Sequence, residues 1–369
     1  LMDRSDEIWE HSNLPSLSDF IEIKALSPLF EPDWANLGEL DATIELFCKW
    51  LDEQGISGMS YETHRIDDLS PVLLVTIEGT GPGEVIFYSH LDKQPSKPDL
   101  WSEGLHPLRA VRRDTWLYGR GSVDDGYGGY LCATSIRLLQ EAGVPHPRCT
   151  LIIETCEESG SFDLPPYLEE LTDQLGDPDM VVVMDSGGPD YDHVWMTEAL
   201  RGLVSGTLSV KVSHEGIHSG NSGGSIPSSF RILRILLDRV EDSATGRVLI
   251  PEMHVEIPEE IREKAVALRE IVGNSIWEQF PTVDSLRQAS DTTEDMIIAM
   301  NWEPTLSIIG ADGMPSVQVA GNVLRTNTDL KLSFRIPPGV DSDIAITCAK
   351  KALEEDPPYG AEVTFTPDS

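Results

Sequence analysis

Basic residues are scarce in this chain. Of 369 residues only 27 are Lys or Arg, against 63 Asp and Glu, which leaves a formal charge of −36. Lysine itself occurs nine times. A field of that sign repels phosphate and argues against nucleic acid or an anionic membrane surface as partner. An acidic, lysine-poor surface fits a salt-rich habitat or simply a strongly solvated exterior, and both readings stay open. Long apolar runs are missing as well: no window holds eighteen consecutive apolar residues, so there is no membrane span. The first thirty residues mix Asp, Glu and Pro with apolar positions and have no basic n-region, so no signal peptide is visible. Cysteine is sparse and odd in number. Cys48, Cys132, Cys149, Cys156 and Cys348 form no CxxC pair. Reduced thiols in a cytoplasmic protein are the simplest account, and a structural Cys–zinc site is disfavoured. The remainder is ordinary globular composition, 40% hydrophobic and 24% charged, at a length that suits two domains.

Residues 38–54 carry Leu40, Ile44, Phe47 and Leu51 at spacings of three and four before Gly55, which predicts an amphipathic helix with a glycine stop. Two strand-like runs follow, VLLVTIE at 72–78 and EVIFYSH at 84–90, joined by a Gly/Pro turn. Residues 126–142 read as a helix, and 150–154 and 181–184 as buried strands. Continuous apolar runs suit strands covered on both faces, so residues 1–200 are expected to form an α/β unit with a mostly parallel sheet. Past Leu200 the pattern alternates, at 203–212 and 329–335, as in sheets with one wet face. Between them a helical stripe of Ile226, Phe230, Leu233, Leu237 and Val240 precedes an acidic segment at 258–295. Residues 201–369 therefore read as a second, α+β domain.

The chemistry-bearing residues stand where the predicted strands end. VIFYSHLD ends with His90 and Asp92, GRGSVDDGYGG places Asp124 and Asp125 ahead of a helix, LIIETCEESGS carries Glu157 and Glu158, and VVVMDSGG carries Asp185. In open α/β sheets the ligand crevice lies beyond the carboxyl ends of the strands, so six carboxylates and one imidazole would share it. That many acids in one small space require a compensating cation, one or two divalent ions. Imidazole and carboxylate ligands suit zinc, with manganese or cobalt as alternatives. Asp92 would fix the tautomer of His90, and one of two adjacent glutamates can serve as general base towards a bound water. Singly, each piece has an ordinary explanation: His-x-Asp as a surface pair, Asp-Asp as a helix N-cap, Glu-Glu as a solvated face, Asp185 as a turn residue. Four such pieces, each at a strand end or helix start, are hard to explain singly.

In that order, SHLD, GRGSVDD, ETCEESGS and VVMDSGG resemble the signatures of the co-catalytic zinc exopeptidases of clan MH. These include carboxypeptidases, aminoacylases, desuccinylases and the cytosolic dipeptidase/carnosinase group. WLYGRGSVDDGYGGY and VSHEGIHSGNSGGSIP are most similar to the dipeptidase group. The resemblance implies that His90 and Asp185 bind one zinc and Glu158 another, with Asp124 between them and Asp125 in an unusual backbone geometry. It makes Glu157 the general base and Asp92 the partner of His90. It also implies an inserted α+β lid and dimerisation domain, from which His218 reaches into the neighbouring subunit's site of a homodimer. Arg335 in KLSFRIPP matches an arginine that grips the substrate carboxylate, and Asn322 in AGNVL and Arg201 in ALRGL occupy motif-like positions.

Two departures from the family pattern stand out. The family completes its second zinc with a histidine near the C-terminus, whereas no histidine follows His254 here. The sequence is expected to be a fragment lacking that segment, because losing whole final strands exposes sheet edges; true loss, leaving a one-zinc or inactive site, is the alternative. Gly126 also stands where the family commonly has lysine. The function expected of the intact protein is a zinc exopeptidase acting on dipeptides or short peptide-like amides. An N-acyl amino acid deacylase, or a non-catalytic binding homologue, is the competing expectation.

Overall fold

The computed structural model describes residues 1–368. The chain forms two units, Leu1–Gly187 and Gly188–Ser369. The division falls earlier than the expected boundary at 200/201, because the stretch after Gly187 belongs to the second unit: Trp195 packs on an apolar cluster that includes Ala265, Val272 and Ile297.

In the first unit the strands β1 (Met59–His64), β2 (Val72–Ile77), β3 (Glu84–His90), β4 (Arg148–Glu154) and β5 (Met180–Val183) form one sheet in the order β1-β2-β4-β3-β5. The sheet is mixed rather than mostly parallel. β3 runs parallel to β4 and β5, but β2 is antiparallel to both β1 and β4. A doubly covered strand is apolar throughout whichever way it runs, so the composition of β2 carried no direction.

Helices α1 (Met2–Ile8), α2 (Leu14–Glu22), α3 (Glu39–Asp52) and α4 (Gly126–Glu141) accompany this sheet. α3 follows Gly38 in the left-handed region, carries Glu39 and Asp41 in its first turn, and buries Leu40, Ile44, Phe47 and Leu51 as the spacing predicts. α4 begins close against its neighbours. A Cβ on Gly126 would stand 2.3 Å from Cε1 of Phe20, and one on Gly129 would stand 2.8 Å from Cζ of Phe47. Glycine there lets the helix start against the core, and a lysine at 126 has no room.

In the second unit β6 (Gly202–Lys211), β7 (Thr305–Asp312), β8 (Asn327–Ile336) and β9 (Glu362–Pro367) form an antiparallel sheet in the order β7-β8-β6-β9. Val204, Leu208 and Val210 alternate with Leu330, Leu332, Phe334 and Ile336 on its buried face. Helices α5 (Ser229–Val240) and α8 (Ser342–Glu354) pack there, while α6 (Glu259–Val272) and α7 (Thr293–Trp302) share a smaller cluster. The expected stripe on α5 is shifted. The helix starts at Ser229 behind the cap of Ser228, leaving Ile226 outside it, and the buried positions are Ile232, Leu233, Leu236 and Val240, with Phe230 exposed. Among the described residues no helix is long and apolar enough to cross a membrane.

Candidate metal centre

Three mutually aligned strands assemble the centre. β3 ends on His90, which pairs in register with Glu154 at the end of β4. Beyond β4 a single 3-10 turn, Glu157–Ser159, presents the two glutamates. Asp185 follows β5, and Asp124 and Asp125 precede α4 across a cis peptide bond. Side chains placed by strand ends and a helix start are held by the sheet ladder rather than by loop packing, which suits a site needing fixed geometry.

The imidazole of His90 is fully buried and is the hub. Its Nε2 lies 3.2 Å from Asp124 Oδ1, and 3.7 Å from both Glu157 Oε2 and Asp185 Oδ2. On the other side Nδ1 lies 3.2 Å from the carbonyl oxygen of Asp92 and 3.4 Å from its Oδ1. The buried Asp92 carboxylate accepts the backbone N–H groups of Glu157 at 3.1 Å and Glu158 at 2.9 Å. Asp125, also buried, accepts the His90 N–H at 3.3 Å through one oxygen, while its other oxygen has no partner.

Burial lowers the affinity of the His90 ring for a proton, but hydrogen bonds to Asp124 and Asp92 and the nearby acids outweigh it, raising the pKa to about 11. Burial drives Glu157 and Asp125 up to about 7 and also raises Glu158 and Asp185. Asp124 moves down because it is hydrogen-bonded to His90. Without a cation, then, the acids are held partly by an imidazolium and partly by protonation. A divalent ion does both jobs.

The residues fit one. Single ligand atoms from His90, Asp124 and Asp185 all lie within 4.8 Å of one another. Two atoms each bound to one tetrahedral ion at about 2.1 Å stand about 3.4 Å apart, and the observed 3.2 and 3.7 Å bracket that spacing. Glu158 lies outside this triplet; its Oε1 accepts the Gln94 N–H at 3.2 Å. Glu157 stands beside the triplet, and Asp92 behind it.

His218, Asn322 and Arg335 belong to the second unit. His218 and Asn322 come together there: Val323 pairs with His218, the Asn322 carbonyl accepts the Ser219 N–H at 2.9 Å, and Nδ1 of the exposed His218 accepts the Gly220 N–H at 3.2 Å. Arg335 is exposed on β8. Burial of Arg201, and after it the charge of Arg335, lowers the pKa of Arg201, whose guanidinium donates to the carbonyls of Ala299 and Glu303. Arg201 therefore ties α7 to the sheet.

Sequence reasoning passed over three residues near the centre. Gln94 brackets Glu158, its Nε2 also donating to the Glu158 carbonyl at 3.1 Å. Tyr88 donates to Glu154 Oε1 at 2.6 Å. Lys93, fully buried, donates to the carbonyls of Phe20 at 2.7 Å and Ile23 at 2.6 Å. The first and last stand in the KQP that follows SHLD, which by composition alone reads as a surface loop.

Residues 86–366 match the peptidase family M20/M25/M40. The chain is 28% identical over 292 residues to a Beta-Ala-His dipeptidase of Rattus norvegicus, covering 77% of this chain and 58% of that protein. It is 27% identical over 288 residues to the Cys-Gly metallodipeptidase DUG1 of Saccharomyces cerevisiae, covering 77% and 59%. Among solved structures it is similar to the di-peptidase Dug1p of Saccharomyces cerevisiae, with TM-score 0.73 and 22% identity over 99% of this chain and 78% of that one. Human carnosine dipeptidase 1 is similar in fold too, with TM-score 0.71 and 22% identity over 98% and 79%. The chain thus spans a little under three fifths of the curated relatives it matches. With the family match covering most of its length, this chain belongs to the peptidase family M20/M25/M40.

Proposed function

We propose that the protein is a metal-dependent dipeptidase that hydrolyses short peptides or peptide-like amides. The observation that carries this reading is the cluster of His90, Asp124 and Asp185 with Glu157 beside it. His90 and Asp185 would hold one ion and Glu158 a second, with Asp124 between them; zinc suits a nitrogen and carboxylate donor set, and manganese or cobalt can take its place. When bound, the metal supplies Lewis acidity and acidifies a water. Glu157 takes the proton of the attacking water and returns it to the leaving amine; burial keeps its carboxyl near neutrality, where a proton can move both ways. Asp92 holds Nδ1 of His90 and so presents Nε2 to the site.

In this reading the second unit supplies Arg335 and Asn322 to the substrate, and His218 to the site of the partner in a homodimer with two-fold symmetry. All five cysteines are free thiols, which fits a reducing, cytoplasmic setting.

The test is hydrolysis by the zinc-loaded protein of β-Ala-His, Cys-Gly and an N-acetylated amino acid. Turnover of a free dipeptide, reduced about 100- to 10,000-fold by Glu157→Gln, is expected for loss of a general base. Turnover of the acetylated substrate alone makes the protein a deacylase. Zinc binding with no turnover of any of the three leaves a binding protein.

A further inference from the structure

A cavity of about 510 Å³ opens in the first unit, its lining including Pro95, Lys97, Leu100, Trp101, Leu105 and Arg120. We propose that it is a subsite for a carboxylate on the substrate's side chain, held by Arg120 and Lys97, so that the enzyme favours short peptides containing an acidic residue. The word substrate here rests on the dipeptidase reading above.

Charge is the first argument. In a chain with 63 acids and 27 basic residues, this lining has two cations and no carboxylate, although Asp99 and Glu103 belong to the same loop. Neither cation is spent on the protein. The Arg120 and Lys97 side chains make no hydrogen bond or ion pair with any described residue, and Nε of Arg120 is buried without an acceptor. A buried N–H without a partner is costly and uncommon, and a planar guanidinium is the side chain best shaped to take a carboxylate. Two smaller cavities of about 230 Å³ each lack this feature, because Lys211 of one pairs with Glu362 at 3.2 Å and Arg112 of the other with Glu10 at 2.6 Å.

Position is the second argument. Pro95 adjoins Gln94, whose N–H and side-chain amide both bond Glu158. At the other end of the lining Arg120 stands four residues before Asp124 in the chain. The lining thus comes from the two segments that lead into Gln94 and Asp124. Trp101, Leu100 and Leu105 supply an apolar wall for the methylenes of such a side chain, and the volume is that of a small-molecule site.

The experiment compares Gly-Glu with Gly-Gln, which differ by one charge and hardly in shape, on the zinc-loaded full chain. The acidic peptide is expected to lead in kcat/KM by about tenfold, mostly through KM, the size of one charge-assisted hydrogen bond. Arg120→Gln should bring the ratio close to one, Arg120→Lys should keep part of it, and Lys97→Gln, at an exposed position, should reduce it without disturbing the fold. A ratio near one in the wild type, or one that survives Arg120→Gln, overturns the subsite. Calorimetric titration with glutarate and with its monoamide separates this outcome from failure of the dipeptidase reading. If neither peptide is cleaved but glutarate binds more tightly than the monoamide and loses that advantage in Arg120→Gln, the subsite stands and the activity does not. Glutarate binding that is absent, or equal in wild type and Arg120→Gln, removes the subsite.

Discussion

One carboxylate holds both glutamates of the centre by their backbone: Asp92 Oδ1 accepts the N–H of Glu157 and Oδ2 that of Glu158. The same side chain stands 3.4 Å from Nδ1 of His90. Asp92 thus couples the strand end that carries the imidazole to the turn that carries the acids. Its role goes beyond fixing a tautomer, because the direction of both glutamate side chains depends on that turn.

Replacing Asp92 by Asn tests the coupling. The amide has one oxygen for two donors, so its NH2 must face a backbone N–H or turn away from it, and one donor loses its partner. Zinc affinity, measured by competition with a chelator, should fall about 10- to 100-fold, the usual cost of disturbing a group behind a metal ligand. The circular dichroism of the fold should stay unchanged. Unaltered affinity would show that the turn is held by the ladder of β4 alone.

Stability against pH offers a second check, with the sign set by three groups. His90 has its folded pKa raised to about 11, and Asp125 and Glu157 theirs to about 7. Each binds a proton more tightly folded than unfolded, so each favours the fold at low pH and loses that advantage as pH rises through its folded value. For the two acids the loss falls between about pH 4 and 7, and for His90 between about 6.5 and 11. The metal-free protein is therefore expected to have a lower Tm at pH 8 than at pH 5.5. Zinc replaces the protons, so the rise in Tm that it causes should be larger at pH 8. A metal-free Tm that climbs over this range would refute the assignment of these groups to one cluster.

The centre was legible in the sequence because apolar strands ending in acids leave a pattern of type and position that survives without coordinates. His90 and Glu157 follow β3 and β4 and Asp124 precedes α4 as expected, whereas Asp185 follows β5, whose Met180, Val181 and Val183 are exposed and not buried as the apolar run at 181–184 suggested. The antiparallel placement of β2 was not legible, since Val72–Ile77 is apolar on both faces and its composition is blind to direction. On α5 Leu233, Leu237 and Val240 face the core as the spacing predicts, but the helix starts only after Pro227, which leaves Ile226 outside it and Phe230 exposed. Lys93 and Gln94 were invisible for another reason. Their partners are backbone carbonyls and a glutamate 64 or more positions away, and a polar residue in a loop carries no mark of such burial.

Lys93 supplies the last test. Its Nζ closes the carboxyl end of α2 by donating to the carbonyls of Phe20 and Ile23, and lies 4.0 Å from the centroid of the Phe20 ring. Its own backbone pairs with Ala25 and Ser27, so one residue fastens the segment after His90 to the N-terminal helices. Lys93→Met keeps the volume and removes the donor, leaving the Ile23 carbonyl without a partner while that of Phe20 keeps the Ile23 N–H at 3.1 Å, at a cost of about 1–3 kcal/mol. The Tm should drop by several degrees. Burial lowers the folded pKa of Lys93 to about 7, below its value of 10.5 when exposed. Between those values the unfolded chain binds the extra proton, so the stability that Lys93 contributes grows as pH rises. The gap in Tm between wild type and Lys93→Met is accordingly expected to widen from pH 7 to pH 9. A gap that narrows would mean that the ammonium, and not the neutral amine, is the form the carbonyls of α2 select.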